Sequence, residues 1–445
     1  MKKCETVVIG AGLAGLAAAE SLDSAGVDVT VLEAAPFPGG RAWSEPYQGY
    51  LLEAGPHTFR GQSDALWGLI DRLGLSDEVE TMDGRAGRYV MRDSRLFRVP
   101  SGPVEFLLSG LFSAQGKWAA LRGLFKAGDP TDRSVAQWMD RRFGTEIRRT
   151  LVDPVVGGIF ASDSTHLDMS RAFPKVWHRT GASGRLIPAI FGKSAPSTER
   201  SGVYALRGGF GQLVSAVAER LGTRMRLAEA VEKIQAIPEG GFRVVSKTGG
   251  IFATAQLVVA TEVGGLKQLL PSLLPDSAEP VGRLQCVPVA TVSLGGPSPS
   301  PLPEGFGALL PRDQGFRMLG AIHVSSLVPE RAPAGHWLAT AYLGGLHDPD
   351  ILELTDAQLL ETTTRELSRI AGSTLEISMG RVHRHQWGIP QPNLDSLDAL
   401  EALNDLVRPY PGLNLAGSYL GGVSVEMAVR SGVEAADKVL QDLSA

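Results

Sequence analysis

Six residues near the N-terminus have the types and spacing to hold a dinucleotide. Gly10, Ala11, Gly12, Leu13, Ala14 and Gly15 form a GxGxxG run, and an acid, Glu33, follows 18 residues after its last glycine. A short apolar strand ends just before the run and a helix opens inside it, which is the setting this chemistry requires. Gly10 permits a tight turn, Gly12 lets backbone approach a pyrophosphate, and Gly15 lets helix and strand approach closely. The phosphates then sit at the helix N-terminus, where free N–H groups and the dipole favour negative charge. Glu33 can accept hydrogen bonds from ribose hydroxyls, and its charge disfavours a 2′-phosphate. NADP is therefore disfavoured, while NAD and FAD stay open.

The next stretch narrows the choice. Pro38-Gly39-Gly40-Arg41-Ala42 pairs glycines with a guanidinium, which can bring backbone and charge to a diphosphate. Gly49-Tyr50-Leu51-Leu52-Glu53-Ala54-Gly55-Pro56-His57 follows. Together these runs resemble the FAD signature of amine oxidase-type flavoproteins, in which the segment matching Gly55, Pro56 and His57 passes beside the flavin ring. A second GxGxxG in a strand–helix setting is not found; Arg207-Gly208-Gly209-Phe210-Gly211 has the glycines in the wrong context. A flavoprotein with one dinucleotide site passes electrons to oxygen, a quinone or a partner, so an oxidase or desaturase is expected over a nicotinamide-linked reductase.

No general base is assigned. His57 reads as a hydrogen-bonding or packing residue, and His383 and His385, without acidic or thiol company, as structural rather than metal-ligating. Cys4 and Cys286 are too few for a disulfide framework or a cysteine-rich metal site, and both read as small buried apolar residues.

The elements that must position these residues follow from pattern. Thr6–Ile9, Leu13–Ser24 and Val27–Leu32 read as one βαβ unit. Residues 35–60 read as loops and short strands, and 63–76 as helix. From 86 to about 200 the periods turn mostly helical, at Phe106–Leu111, Trp118–Phe125, Val135–Phe143 and Arg148–Val155. Gly181–Ser201 reads as a long irregular connection. Alternating α and β patterning resumes over 203–275, with Leu213–Leu221 a helix and Ala230–Ile237, which includes Val231, Phe242–Thr248 and Gln256–Ala260 strands. Residues 286–345 read as sheet, Thr355–Ile370 as an amphipathic helix, Leu413–Ala416 as a last strand and Val423–Leu440 as a last helix.

Composition bounds the class. The chain has 445 residues, 43% apolar and 20% charged, which is ordinary for a globular protein and excludes disorder. A net charge of −5 argues against general nucleic-acid binding. Residues 83–150 hold 13 Lys/Arg against 7 Asp/Glu, a basic region in an acidic chain. The start reaches a strand within five residues, and no run approaches the roughly 18–20 apolar residues that span a bilayer. The expected location is cytoplasmic, peripheral on the inner face of the cytoplasmic membrane.

Further along, the chain resembles the protoporphyrinogen oxidase and coproporphyrinogen III oxidase flavoenzymes of haem synthesis. The likeness rests on Arg88-Tyr89-Val90, on Asp153-Pro154-Val155-Val156-Gly157-Gly158-Ile159-Phe160-Ala161 followed by Phe173-Pro174, and on Gly305–Pro311 with Leu319–Ile322. Leu415-Ala416-Gly417 and Gly421-Gly422-Val423-Ser424-Val425 complete it. The resemblance implies an α/β architecture with three parts. A Rossmann-type FAD-binding domain of the p-hydroxybenzoate hydroxylase and amine oxidase kind takes 1–75, 203–275 and 405–445. A mixed-sheet substrate domain takes 76–85 and 276–404, and a helical membrane-docking domain takes 86–202. It implies FAD contacts at Gly10 through Gly15, Glu33, Gly40, Arg41, Gly55, Pro56, His57, Val231, Gly417, Val423, Ser424 and Val425. It also implies that Arg88 pairs with a substrate propionate, that Leu309, Ile322 and Tyr342 sandwich the macrocycle, and that Gly157 and Gly158 let backbone come close to it.

The activity so implied is oxidation of protoporphyrinogen IX, or of coproporphyrinogen III, by hydride transfer to flavin in an apolar slot wide enough for a tetrapyrrole, with oxygen as acceptor. Implied partners are the porphyrinogen, oxygen, a membrane surface and ferrochelatase, with no nucleic acid and no metal. An amine oxidase, a carotenoid-type desaturase and a non-redox carrier on the same fold stay as alternatives. Three departures bear on the wall near the flavin edge. His385 stands where relatives often have Trp, Pro392 where they have Tyr, and Glu426-Met427 where they have Asn-Asp. Pro103–Phe125 mixes aliphatic and aromatic residues with Lys117, Arg122 and Lys126, as shallow insertion into anionic headgroups requires, and equally as a buried helical pair would show.

Overall fold

The computed structural model describes residues 2–83, 86–126, 129, 131–180, 200 and 202–444. Apart from Arg200, the connection expected over 181–201 lies outside the described residues.

The first layer grows from strand Lys2–Ile9, whose Val7, Val8 and Ile9 are buried. It pairs in parallel with Val29–Leu32 on one side and with Ile251–Val259 on the other. Strands buried on both faces lose the alternation of a one-sided strand, as the fully buried ends Val7–Ile9 and Leu257–Val259 show. Met225–Arg226 extends one edge, and Phe242–Ser246, Val231–Ala236 and Leu413–Leu415 lie beyond Ile251–Val259. Helix Leu13–Ser24, rich in alanine, lies against the long C-terminal helix Val425–Ser444.

The second layer is a seven-stranded sheet. Its order is Met379–Pro390, Cys286–Pro297, His336–Gly344, Met318–Ile322, Gly307–Leu309, Arg88–Arg92, Arg95–Arg98. One face carries Val292, Leu294, Ala339, Ala341 and Leu343 into a core closed by Leu359, Leu367 and Ile370 of helix Asp356–Ala371. The other face turns towards the segment around Glu53. A third group of helices includes Pro103–Leu108, Ala114–Phe125, Val135–Phe143 and Asp153–Phe160. Helix Val135–Phe143 opens on a reciprocal Ser134–Gln137 cap.

Several boundaries differ from expectation. The division at residue 86 falls inside the second sheet, because Arg88–Arg92 pairs in parallel with Gly307–Leu309 and antiparallel with Arg95–Arg98. Helix begins only at Pro103. Residues Val79–Thr81 pair with Val203–Leu206 in a small separate sheet rather than with the second layer. Leu400 and Leu403 of helix Leu394–Val407 share a core with Val7 and Val259 of the first sheet. Each of these depends on pairing between segments far apart in sequence, which local period does not carry. Within 148–155, Arg148–Val152 winds as a widened π-type turn ahead of Pro154, which lacks the N–H that a regular turn needs.

Candidate functional site

The GxGxxG turn is built as its chemistry demands. Gly10 has a φ of +103°, and a Cβ there would lie 2.7 Å from the Ala260 carbonyl oxygen. A Cβ on Gly15 would lie 1.9 Å from the Gly10 carbonyl oxygen. Those two glycines let backbones touch. A Cβ on Gly12, by contrast, would meet nothing within 4 Å, so its absence leaves space in front of the helix. No side chain caps helix Leu13–Ser24 and no acid stands in its first turn, which leaves first-turn N–H groups for a ligand. The Glu33 carboxylate is fixed by the backbone N–H groups of Ala11 at 2.6 Å and Ala35 at 2.8 Å. Gly39 N–H donates to the Ala11 carbonyl at 2.7 Å, so the Gly39–Gly40 turn lies on the glycine-rich turn.

Direction follows from strand order. Glu33 and the segment leading into Val231 lie together, with the Glu229 N–H donating to the Glu33 carbonyl at 2.8 Å. Glu33 follows the strand on one side of Lys2–Ile9, and the Ile251–Val259 strand lies on the other. There stand Glu262, Gly417, Ser418 and the Arg41 guanidinium. The uncapped helix, the open space at Gly12 and the placed acid fit a dinucleotide cofactor.

Arg41 itself is turned away from the phosphate turn. Its guanidinium donates to the carbonyls of Trp387 and Gly388 and, at 3.0 Å, to Ser418 Oγ. The cause lies in the second sheet. Between the pairs Val287–Ile389 and Val289–His385 the register slips, so residues 386–388 bulge out of the ladder and free their carbonyls. Burial lowers the Arg41 guanidinium from its ordinary value, with Cys286 and Glu262 opposing. Burial likewise raises the Glu262 carboxyl, against Arg41, and pushes the half-buried Cys286 thiol up to about 12.

At the C-terminal side, Gly417 N–H donates to Ser431 Oγ at 2.9 Å. Val423 packs on the helical core around Phe160, Ser424 Oγ accepts from the Met427 N–H, and Val425, buried, begins the last helix. The Glu426 carboxylate accepts from the Arg60 N–H and so ties strand Phe59–Arg60 to that helix. Pro392 offers its carbonyl to the Asp168 N–H at 2.9 Å.

The segment Glu53–His57 joins the two layers. Glu53 and Arg331 form a buried ion pair at 3.3 Å. Behind them, His57 is 4% exposed, and neither ring nitrogen has a partner. Burial first, and the Arg331 charge second, push its imidazole down to about 3. Its imidazole is therefore neutral at working pH, and its ring stands edge-on to Tyr342 at 6.4 Å. His383 bonds Glu45 at 2.9 Å, and His385 bonds the Ala54 carbonyl at 2.7 Å. Among the described residues no cluster of three or more metal-ligating side chains occurs.

The substrate candidates share one face of the second sheet. Leu309 lies opposite Gly320, and Gly320 opposite Tyr342. Two residues along, Arg88 lies opposite Gly307 and Gly307 opposite Ile322. Registered partners point to the same side, so Arg88, Leu309, Ile322 and Tyr342 share one side of the sheet around Gly307 and Gly320, where backbones come close: a Cβ would lie 2.0 Å from the Ala321 carbonyl oxygen at Gly307 and 2.7 Å from the Ala308 carbonyl oxygen at Gly320. Arg88 is exposed, its guanidinium 5.2 Å from the Phe306 ring centroid. Helix Asp153–Phe160 packs against strands Gly307–Leu309 and Met318–Ile322, and Leu309 Cδ2 occupies the space a Cβ on Gly158 would need, 2.4 Å away. Gly157 lies one residue before it, with open surroundings.

Two small cavities bounded by described residues flank the site. One touches His57, Ile322 and Arg331; the other touches Gln391, Ser418 and Tyr419. Each has room for about one or two waters, so neither is the macrocycle-wide slot expected from sequence. Sequence reasoning did not find Arg331, Ser418, Thr291 or the close backbone approach at Gly320. Gly320 sits inside a motif already singled out, but its meaning depends on cross-strand register.

Comparison with known proteins agrees with this layout. The family model for flavin containing amine oxidoreductases matches residues 13–440. A chloroplastic protoporphyrinogen oxidase of Oryza sativa subsp. japonica is 31% identical, over 98% of this chain and 88% of its own. A coproporphyrinogen III oxidase of Bacillus subtilis (strain 168) is 26% identical, over 98% of each chain. A solved structure from Exiguobacterium sp. 255-15 superposes with a TM-score of 0.85 at 21% identity, covering 100% of this chain and 99% of that one, a likeness of fold.

Proposed function

This chain belongs to the flavin containing amine oxidoreductase family, and from that premise we propose that it oxidises a porphyrinogen, protoporphyrinogen IX first and coproporphyrinogen III second, with oxygen as the electron acceptor. It is an FAD-dependent oxidoreductase. Bound FAD supplies the two-electron acceptor; removal of six electrons by three oxygen molecules yields three molecules of hydrogen peroxide.

One observation carries the substrate reading: the register that gathers Leu309, Ile322 and Tyr342 on one side of the second sheet, with Arg88 at the end of that group. A flat apolar ring with carboxylate arms needs a flat apolar bed and a cation at its rim. Arg88 pairs with a propionate, while Gly157 and Gly158 let the covering helix approach the ring. In this reading the chain's own work is to bind, orient and keep water out, and no side chain acts as base. Gly10 through Gly15, Glu33, Gly40 and Val231 hold the adenosine diphosphate end. Arg41, Gly55, Pro56, His57, Gly417, Val423, Ser424 and Val425 line the path of the flavin end. The cofactor domain then comprises mainly 1–75, 203–275 and 405–445.

The same reading includes a membrane surface. Leu108, Phe125, Val104 and Trp118 are 80%, 73%, 69% and 62% exposed on two neighbouring helices, beside Lys117, Arg122 and Lys126. No helix among the described residues is long and apolar enough to cross a membrane. Apolar tips with flanking cations suit insertion to headgroup depth.

The test is anaerobic mixing of the flavin-loaded protein with each porphyrinogen in turn, and with a primary amine. Bleaching of the flavin by a porphyrinogen, and not by the amine, is the expected result, and the faster porphyrinogen is the substrate. Bleaching by the amine alone would assign an amine oxidase, and a protein that takes up no FAD would remove the oxidase reading.

A further inference from the structure

Two consecutive peptide groups of the segment between the layers are held by three side chains from three adjacent strands. Thr291 Oγ1 donates to the Ala54 carbonyl at 2.9 Å, and His385 Nε2 lies 2.7 Å from the same oxygen. Tyr342 Oη donates to the next carbonyl, Gly55, at 3.0 Å. A carbonyl oxygen has two lone pairs and only accepts, so the contact requires the His385 proton on Nε2. Thr291 stands opposite Tyr342, and Val289 opposite His385, so register alone brings the three donors to one place. Burial first, against the Ala54 contact and with Arg41 and His383 assisting, lowers the imidazole below its ordinary value, which keeps that single proton in place.

The far side of the segment is equally closed. A Cβ on Gly55 would lie 2.4 Å from the Arg41 carbonyl oxygen, so the two backbones touch. Arg41 in turn reaches back to Trp387 and Gly388, two and three residues after His385. The contacts form a ring: Arg41 to Gly388, along the strand to His385, across to Ala54, along to Gly55, and back to Arg41. Thr291 and Tyr342 brace it from the sheet. Within that ring His385 is the side chain that joins the bulged strand to the loop.

We propose that His385 is a positioning residue whose Nε2–H, bonded to the Ala54 carbonyl, closes this ring and sets the spacing between the cofactor-side loop Ala54–His57 and the substrate face of the second sheet. It acts through the Ala54 backbone carbonyl. The inference rests on the proposed flavin oxidase reading for its kinetic arm and is independent of the substrate for its spectroscopic arm.

Two variants test it. His385→Phe keeps a ring and loses the donor; His385→Gln keeps an amide N–H able to reach the same carbonyl. The flavin-loaded proteins are compared by visible circular dichroism of the bound flavin, and by kcat and KM for the porphyrinogen. His385→Phe should retain flavin, change the shape of the visible dichroism and lower kcat about tenfold with KM within about twofold. His385→Gln should restore the wild-type dichroism and bring kcat to within about threefold. Wild-type dichroism in His385→Phe, or a His385→Gln protein that differs from wild type as much as the Phe variant does, overturns the proposal. If His385→Phe does not fold, the dichroism of His385→Gln alone decides. If no porphyrinogen is oxidised by the wild type, the substrate reading fails while the dichroism still judges the ring.

Discussion

Replacing Arg331 by Met isolates the cost of the charge buried between the two layers. Arg331 and Glu53 are 1% and 0% exposed, 3.3 Å apart. Glu53 keeps two other donors, Ser44 Oγ at 2.7 Å and the Phe210 N–H at 3.0 Å, while Arg331 also donates to the Leu206 carbonyl at 2.8 Å. Arg331→Met therefore leaves a buried carboxylate with two neutral hydrogen bonds and no counter-charge, a loss of about 3–5 kcal/mol. The pH dependence has a defined sign. Burial already holds the Glu53 carboxyl above its ordinary value, with Arg331 opposing, and removing Arg331 raises it further. A carboxyl raised in the folded state favours folding fully only below its unfolded value, about 4.3, and that contribution is lost as pH rises towards the folded value. The wild type shares this loss up to its own raised Glu53 value, so the deficit of Arg331→Met relative to wild type should grow by about 1.4 kcal/mol per pH unit only between the folded Glu53 value of the wild type and the higher one of the variant, and be level outside that interval. Urea unfolding of the flavin-loaded proteins, followed by tryptophan fluorescence at pH 5 and pH 8, measures it. Adding Glu53→Gln to Arg331→Met should remove the pH-dependent part. A deficit below about 1 kcal/mol at pH 8, or one equal at both pH values, would refute the reasoning.

Gly12→Val should abolish flavin retention, because its branches would enter the open space before the uncapped helix; the flavin-to-protein absorbance ratio after gel filtration reads this, and a normal ratio counts against it. Arg88→Ala should raise KM for the porphyrinogen by about 10-fold or more with kcat within threefold, since it removes a remote anchor; an unchanged KM in steady-state kinetics excludes the anchor. Leu108→Asp with Phe125→Asp, at strongly exposed positions, should leave the unfolding midpoint near wild type and abolish flotation with anionic vesicles, whereas retained flotation removes the membrane face.

Local chemistry makes part of this protein readable from its residues alone. The glycines at 10, 12 and 15, the acid at 33 and the helix from Leu13 act within some twenty-five residues, so spacing alone carries their geometry. The amphipathic period of Asp356–Ala371 and the mainly apolar, β-branched runs of Val29–Leu32 and Ile251–Val259 belong to the same class of signal. The strands Arg88–Arg92 and Arg95–Arg98 do not: their basic, irregular sequence sits beside helices, and they become sheet through pairing with Gly307–Leu309, more than two hundred residues away. The grouping of Leu309, Ile322 and Tyr342 around Gly320, the bulge that gives Arg41 its carbonyls, the Glu53–Arg331 pair and the donors on Ala54 and Gly55 all arise from cross-strand register and from two layers meeting. Those are contacts between distant segments, and no local propensity encodes which distant carbonyl a buried cation or imidazole will find. Residue types set what the chain can bind; register and layer packing decided which side chains meet on the second sheet and what holds the loop beside it.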